Sequence, residues 1–120
     1  MPYRFAILED EPLSVQLLSS YLDRLEKVRL VIVTDDPDAV EDLITAGLLD
    51  LVLLDVNIKG SRPGHLGRLL EKDCRFIIVT AYPYSYLHDL APGTIYGYLS
   101  KPVSFIVFRR EVRRVLGDEV

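Results

Sequence analysis

Acidic side chains follow two apolar runs of the chain, at the point where each run ends. Asp55 follows the run at 51–54, and Glu9, Asp10 and Glu11 follow the run at 5–8. If both runs are parallel strands of one sheet, these carboxylates meet at the same edge. Two unit negative charges about 4 Å apart repel each other by about 4 kcal/mol at an effective dielectric of 20. The pattern therefore predicts a cation at that edge, or an arrangement that relieves the repulsion.

Two further polar residues are predicted at the same edge. Thr80 ends the apolar run at 76–80, and Lys101 follows the run at 95–99. Carboxylate oxygens suit Mg²⁺, which binds one or two carboxylates, keeps several waters and reaches substrate phosphate. Lys101 and Thr80 would be placed to contact phosphoryl oxygens. The set favours magnesium-dependent phosphate chemistry.

The apolar runs alternate with segments of helical spacing, which predicts a strand followed by a helix five times over. The runs lie at 3–8, 30–33, 51–55, 76–80 and 95–99. Two of them, 51–55 and 76–80, are apolar almost throughout, which is typical of strands covered on both faces. Right-handed strand-helix-strand units of this kind build an open, doubly wound parallel sheet.

The predicted helices have recognisable ends. Asp36 and Pro37 resemble an N-cap and first helical position, Gly47 resembles a helix stop, and Ser104 resembles the cap of the last helix. The first helix is predicted to bury one apolar stripe, made of Leu13, Leu17, Leu18, Tyr21, Leu22 and Leu25. The segment between Gly60 and Cys74 supports only a short third helix, anchored by Leu66, Leu69 and Leu70.

The bulk composition is that of an ordinary soluble globular protein. The 120 residues, 49% apolar and 27% charged, predict one domain over 1–120. We expect a cytoplasmic location, because the chain shows neither a membrane-length apolar run nor a secretory leader. The net charge of −4 argues against direct nucleic acid binding, and we expect no membrane partner. The single Cys74 is expected to be a reduced structural thiol, and the lack of a Cys/His cluster argues against zinc.

Four segments together carry a family resemblance. Residues 7–12, 50–55, 80–81 and 98–102 resemble the receiver domain of two-component response regulators, in order and at appropriate spacing. Residues 80–83 and 101–105 most resemble receivers of the LytTR class. The resemblance spans essentially the whole chain, and we expect a receiver without an output domain. It implies the flavodoxin-like (βα)5 receiver fold, with five parallel strands in the order 2-1-3-4-5.

The resemblance also assigns a role to each residue of the acidic edge. Asp55 is implied as the phosphoacceptor, which attacks the phosphohistidine of a sensor histidine kinase or histidine phosphotransfer protein. Asp10 and Asp55 are implied to bind Mg²⁺ by their side chains, Asn57 by its backbone carbonyl, and Glu9 through water. The metal would neutralise charge on the transferred phosphoryl group.

Three further residues are implied to contact the phosphoryl group or to respond to it. Lys101 is implied to pair with the phosphoryl oxygens, Thr80 to turn inward and hydrogen-bond them, and Tyr98 to change rotamer in response. The bond between Lys101 and Pro102 is implied to be cis. Such a domain is a switch rather than an enzyme, since it catalyses only its own phosphorylation and slow dephosphorylation.

The last helix carries four arginines, in two like-charge pairs at i, i+4. The pairs are Arg109 with Arg113 and Arg110 with Arg114, and nearby acids and solvent are one explanation for them. The other is a dimer or target-protein face made from the predicted fourth helix, fifth strand and fifth helix, the last of which carries the arginines.

The chain departs from the family pattern at several places. Glu9 and Lys59 stand where the family more often has Asp and Pro, and the run from Asp55 to Thr80 is shorter than usual. Asn57 and Tyr82 flank the path of the hydrolytic water by resemblance. A bulky Tyr82 predicts slow self-dephosphorylation.

Each residue has a structural explanation when taken alone, and other functions use similar chemistry. Asp55 alone reads as a turn residue, Thr80 and Tyr98 as strand residues, and Lys101 as a solvated charge. A phosphohydrolase of the haloacid dehalogenase type needs a DxD motif after the first strand, and an FMN binder needs small residues there. Residues 9–11 match neither. A receiver-like binding module that works without phosphorylation stays open as an alternative.

Overall fold

The computed structural model describes residues 2–56, 65–81, 97–118 and 120. The described strands form one parallel sheet in the order β2-β1-β3-β4-β5. They are β1 (Tyr3–Leu8), β2 (Val28–Thr34), β3 (Leu51–Leu54), β4 (Arg75–Thr80) and β5 (Gly97–Ser100). The described helices are α1 (Pro12–Asp23), α2 (Pro37–Thr45), α3 (His65–Leu70) and α4 (Phe105–Leu116). The predicted doubly wound sheet is confirmed, while the predicted fourth helix falls in 82–96, outside the described residues.

Alternating side chains of the strands build two cores, one on each face of the sheet. On β1, Phe5 and Ile7 belong to one core, and Ala6 and Leu8 belong to the other. The first core is closed by α1 and α4, through buried residues such as Leu22 on α1 and others at 18, 108 and 112. The second is closed by α2 and α3, through residues at 40, 44, 69 and 70. Strands with both faces covered explain the continuous apolar runs.

The predicted apolar stripe of α1 is wrong in its first turns. Leu18 and Leu22 are buried, but Leu13 is 75% exposed and Leu17 is 38% exposed. Ser14 takes the inward position instead. The buried side chains follow steps of four residues from position 14, whereas Leu13 and Leu17 each lie one residue, about 100°, away from that line. The first half of α1 therefore presents leucine to solvent.

The predicted helix starts are confirmed by hydrogen bonds. The Asp36 carboxylate accepts the backbone N–H of Asp38 at 3.0 Å, one residue before α2. The Ser104 hydroxyl oxygen accepts the backbone N–H of Val107 at 3.3 Å, one residue before α4. Gly47 follows α2 with φ of 73°, a conformation that favours glycine. In the part of the chain that the structure describes, no helix combines the length and apolar character of a membrane span.

Candidate functional site

Backbone hydrogen bonds continue past the ends of β1 and β3 and bring their acidic residues together. Leu8 and Leu54 are paired in register, and the Asp55 N–H donates to the Leu8 carbonyl at 3.0 Å. On the other side of β1, the Glu9 N–H donates to the Thr34 carbonyl at 3.0 Å. The sheet therefore fixes the backbone of Glu9 and Asp55 side by side at its carboxyl edge.

Backbone hydrogen bonds also continue past the ends of β4 and β5, where they position Lys101 and Thr80. Thr80 and Ser100 are paired in register, and the Lys101 N–H donates to the Thr80 carbonyl at 2.9 Å. Thr80 is 1% exposed, and the peptide bond between Lys101 and Pro102 is cis, as the resemblance implied. Because β3 and β4 are neighbours, this half of the site faces the acidic half.

The Lys101 ammonium joins the two halves through a pair of short ion pairs. Its Nζ lies 2.8 Å from Asp55 Oδ2 and 2.6 Å from Glu9 Oε1. Both carboxylates are buried, and the side chain of Lys101 is 17% exposed. Burial acts to lower the pKa of Lys101, but the hydrogen bonds that Lys101 donates to Asp55 and Glu9 outweigh it and hold that pKa above its ordinary value. The ammonium therefore offsets part of the predicted repulsion between the carboxylates.

Glu9 is more firmly held than its sequence position indicated. Its second oxygen, Oε2, accepts the backbone N–H of Asp10 at 3.0 Å and that of Glu11 at 3.4 Å. The sequence predicted a Glu9 that reaches the metal through water, and nothing in the sequence pattern predicted its contact with Lys101. The added methylene of glutamate was noted there as a departure, and it is the feature that gives the carboxylate its reach.

The donor chemistry of the edge fits Mg²⁺. Glu9, Asp10 and Asp55 offer carboxylate oxygens, the ligands that hard divalent cations take in proteins. The described residues hold no ready-made group of three acidic, histidine or cysteine ligands. Mg²⁺ usually takes one or two protein carboxylates and keeps several waters. The residue predicted to supply a backbone carbonyl, Asn57, lies outside the described residues.

Tyr98 lies on strand β5, next to the strand that carries Thr80. It is paired in register with Ile78, two residues before the pair of Thr80 and Ser100, and it packs against the second core. Its backbone N–H donates to Glu111 Oε2 at 2.9 Å, and the Arg114 Nε–H donates to Glu111 Oε1 at 2.6 Å. Strand β5 is therefore tied to α4 by a carboxylate that the sequence pattern did not single out.

Comparisons with known proteins give a uniform result for the fold. No protein-family model matches the chain, and no curated protein matches it. A signal receiver domain of a modulated diguanylate cyclase from Desulfovibrio desulfuricans G20 superposes with a TM-score of 0.81 at 21% identity, covering 99% of this chain and 97% of that one.

Two further solved structures support the same conclusion. CheY in a CheX-CheY-BeF3-Mg complex from Borrelia burgdorferi has a TM-score of 0.81 and 19% identity over 96% of this chain and 90% of that one. A CheY-like receiver domain protein from Methanospirillum hungatei JF-1 has a TM-score of 0.80 and 17% identity, over 99% and 97%. The predicted sheet order and helix placement thus have direct counterparts, and the chain has the fold of response-regulator receiver domains.

Proposed function

We propose that residues 1–120 form a receiver domain that works as a phosphorylation-dependent switch of a two-component system. The observation that supports it most is the buried contact of 2.8 Å between the Asp55 carboxylate and the Lys101 ammonium, at the carboxyl edge of a receiver-type sheet. The contact supports a role for Asp55 as nucleophile, with Lys101 as the cation for its phosphoryl product. The LytTR-class resemblance and the cytoplasmic location stay predictions.

The transfer step uses few protein groups. An Asp55 oxygen forms a bond to phosphorus while the bond from phosphorus to the donor histidine nitrogen breaks, and the imidazole nitrogen keeps that electron pair. Lys101 balances the negative charge beside Asp55, and the Thr80 hydroxyl donates to a phosphoryl oxygen. Tyr98, on the same sheet face as Thr80, then moves into the space that Thr80 leaves. Mg²⁺, held by Asp10, Asp55 and the Asn57 carbonyl, would supply charge neutralisation for the phosphoryl oxygens.

Phosphorylation can be tested without knowing the kinase. The protein is incubated with Mg²⁺ and acetyl phosphate, and its intact mass is measured. We expect a gain of one phosphoryl group that disappears in Asp55→Asn and in the presence of EDTA. Asp50→Asn is the matched control, because Asp50 precedes strand β3 whereas Asp55 follows it. A mass gain that survives in Asp55→Asn, or none in the wild type, would contradict the proposal.

The exposed leucines of α1 support docking of a protein phosphodonor. Leu13 and Leu17 line a groove of about 360 Å³ that also reaches Pro102 and Lys101. An apolar surface next to the nucleophile suits a partner that must bring its phosphohistidine to Asp55, such as a sensor histidine kinase or a histidine phosphotransfer protein.

A substitution in that groove separates docking from chemistry. Leu13→Ser is expected to slow transfer from phosphorylated kinases or phosphotransfer proteins of the same genome, while phosphorylation by acetyl phosphate stays unchanged. Ile106→Ser, at an apolar position of α4 that is 70% exposed, is the control. Equal slowing by both variants would argue against the α1 groove as the docking surface.

The second partner surface that we propose is the face of β5 and α4. The four arginines there are not equivalent, since Arg114 contacts Glu111 and the Arg113 Nε–H donates to the Val120 carbonyl at 2.8 Å. Arg110 is exposed and makes no ion pair with any described residue. We expect Arg110→Glu and Arg113→Glu to weaken association of the phosphorylated protein in sedimentation runs. An unchanged association state would count against a dimer on this face.

The lifetime of the phosphorylated state is a separate proposal. Asn57 and Tyr82 both lie outside the described residues, so slow self-dephosphorylation rests on the sequence alone. We expect Tyr82→Ala to speed the decay of the phosphorylated protein, measured by intact mass after removal of acetyl phosphate. An unchanged decay rate would contradict a blocking role for Tyr82.

A further inference from the structure

Lys101 has two carboxylate partners, and only one of them is the proposed phosphoacceptor. Glu9 Oε1 lies 2.6 Å from the ammonium, slightly nearer than Asp55 Oδ2 at 2.8 Å. Hydrogen bonds between charged groups at such distances are the strong ones. In the unphosphorylated protein the cation is therefore shared between the nucleophile and a residue that takes no part in bond formation.

The side chain of Glu9 is held in the conformation that makes this contact. Its Oε2 accepts the backbone N–H groups of Asp10 and Glu11, and the residue is 4% exposed. With one oxygen fixed to the backbone, the other is left for Lys101. An aspartate here would be shorter by one C–C bond, about 1.5 Å. That change would lengthen the contact beyond hydrogen-bonding distance.

The same carboxylates are the ligands that a divalent cation needs. Glu9, Asp10 and Asp55 together carry three negative charges, and Lys101 brings one positive charge among them. An ammonium held against two of these carboxylates competes with Mg²⁺ for their charge. The same ammonium must also leave a carboxylate partner before it can contact a phosphoryl oxygen.

We propose that Glu9 is a positioning residue that retains Lys101 in the unphosphorylated state, and that Lys101 exchanges Glu9 for a phosphoryl oxygen when Asp55 is phosphorylated. This inference rests on the proposed function, because it names a contact that opposes Mg²⁺ binding and phosphorylation of Asp55. Glu9 sets the resting position of the cation, and the Glu9 contact weakens both Mg²⁺ binding and the phosphorylated state. Shortening Glu9 removes that opposition without removing its charge.

A double-mutant cycle on Mg²⁺ affinity tests the inference. Amide chemical shifts are followed during Mg²⁺ titration of the wild type, Glu9→Asp, Lys101→Met and the double variant. We expect each single variant to lower the Mg²⁺ Kd about three- to tenfold, and the double variant to gain little more, because both remove the same contact. Additive effects, or weaker Mg²⁺ binding by Glu9→Asp, would overturn the proposal.

The controls repeat the same chemical changes at a distant pair. Glu41 and Lys72 lie 3.6 Å apart between α2 and the end of α3, so Glu41→Asp and Lys72→Met match both changes. We expect the Mg²⁺ Kd of both control variants to equal that of the wild type. A similar decrease of the Mg²⁺ Kd in the control variants would mean that net charge alone explains the effect, and it would overturn the proposal.

A second pair of variants covers the case in which Glu9→Asp does not fold. Lys101→Arg keeps a cation within reach of Glu9, whereas Lys101→Met does not. We expect the Mg²⁺ Kd of Lys101→Arg to stay within about twofold of the wild type and that of Lys101→Met to fall. The opposite order overturns the inference. These titrations need no phosphoryl transfer, so a failure of the proposed function in the acetyl phosphate experiment remains distinguishable.

Discussion

Gly97 leaves room for a carboxylate beside strand β5. A Cβ at this position would lie 3.1 Å from both Glu111 Oε2 and Ile77 Cγ1. Glu111 uses that space to accept the N–H of Tyr98 on β5, the last strand of the sheet as far as the structure describes it. Burial acts to raise the pKa of Glu111, but the hydrogen bonds from Arg114 and the Tyr98 N–H outweigh it and leave that pKa below its ordinary value. The missing side chain at 97 is what admits a charged group to the strand edge.

We expect Gly97→Ala to destabilise the protein by about 1–2 kcal/mol, through displacement of Glu111 and loss of its bond to Tyr98. Urea unfolding measures the change. In a Glu111→Ala background the same substitution should cost less, because the carboxylate it displaces is gone. An equal cost in both backgrounds would show that the Ile77 contact alone accounts for it.

Cys74 is predicted to be a poorly reactive thiol. Its partly buried position raises the pKa of the thiol to about 11, mainly because burial disfavours the thiolate. Alkylation by iodoacetamide at pH 8 should therefore be about a hundredfold slower in the folded protein than in urea, since only the thiolate reacts. Mass spectrometry of timed samples gives both rates. Comparable rates would contradict a burial effect.

The sequence located the site residues better than the contacts between them. Asp55 and Lys101 follow their strands directly, so the direction of the chain alone sends them to one edge of a parallel sheet. The contact of Glu9 with Lys101 depends on a side-chain conformation, and that of Glu111 with Tyr98 depends on how α4 is rotated about its axis. Neither quantity is expressed in the spacing of residue types.

At the level of elements, the strands were predictable because short apolar runs bounded by polar residues are typical of buried strands. The rotation of α1 was not, because its leucines occupy more of the helix surface than one core-facing stripe. The buried line through Ser14 and Leu18 and the exposed line through Leu13 and Leu17 both have helical spacing. Leu18 and Leu22 pack into the core that α1 shares with the sheet and α4, which leaves Leu13 and Leu17 on the surface proposed above for a phosphodonor.

The amino ends of β1 and β3 are joined by a second ion pair. Asp50 Oδ2 accepts the Arg4 N–H at 2.7 Å and the Arg4 Nε–H at 3.1 Å. The hydrogen bond from the Arg4 side chain is the main reason that the pKa of Asp50 lies below its ordinary value. A depressed carboxyl pKa stabilises the fold at pH above about 4, and this contribution is lost as the pH falls through the folded-state pKa.

We expect Asp50→Asn to lower the free energy of unfolding at pH 7 by less than about 1 kcal/mol, because both side chains are about a third exposed. Near pH 3 the difference from the wild type should shrink, since Asp50 is then largely protonated in the unfolded state. Urea unfolding at the two pH values measures it. Asp35→Asn, at an exposed position outside the pair, should show no such pH dependence; a pH-independent Asp50 effect would contradict the linkage.

Across the whole molecule, the amino ends and the carboxyl ends of the strands differ in how their charges are balanced. At the amino edge, Asp50 is matched by Arg4. At the carboxyl edge, the two carboxylates of Glu9 and Asp55 share the Lys101 ammonium, and Asp10 adds a further carboxylate in the sequence. A fold optimised only for stability would pair these groups or replace them. We therefore expect the carboxyl edge to be where stability is given up for ligand binding.

Removal of one carboxylate should change stability with opposite signs in the absence and presence of metal. We expect Asp10→Asn to be more stable than the wild type in EDTA, by about 1 kcal/mol, because it relieves like-charge repulsion. Mg²⁺ at about ten times its Kd should stabilise the wild type by about 1.4 kcal/mol and the variant much less, because binding to the folded state alone raises the free energy of unfolding. Urea unfolding of both proteins in EDTA and in Mg²⁺ measures the four values. Parallel responses of the two proteins to Mg²⁺ would mean that Asp10 is not a ligand, and a less stable Asp10→Asn in EDTA would mean that the edge is already balanced by protein groups.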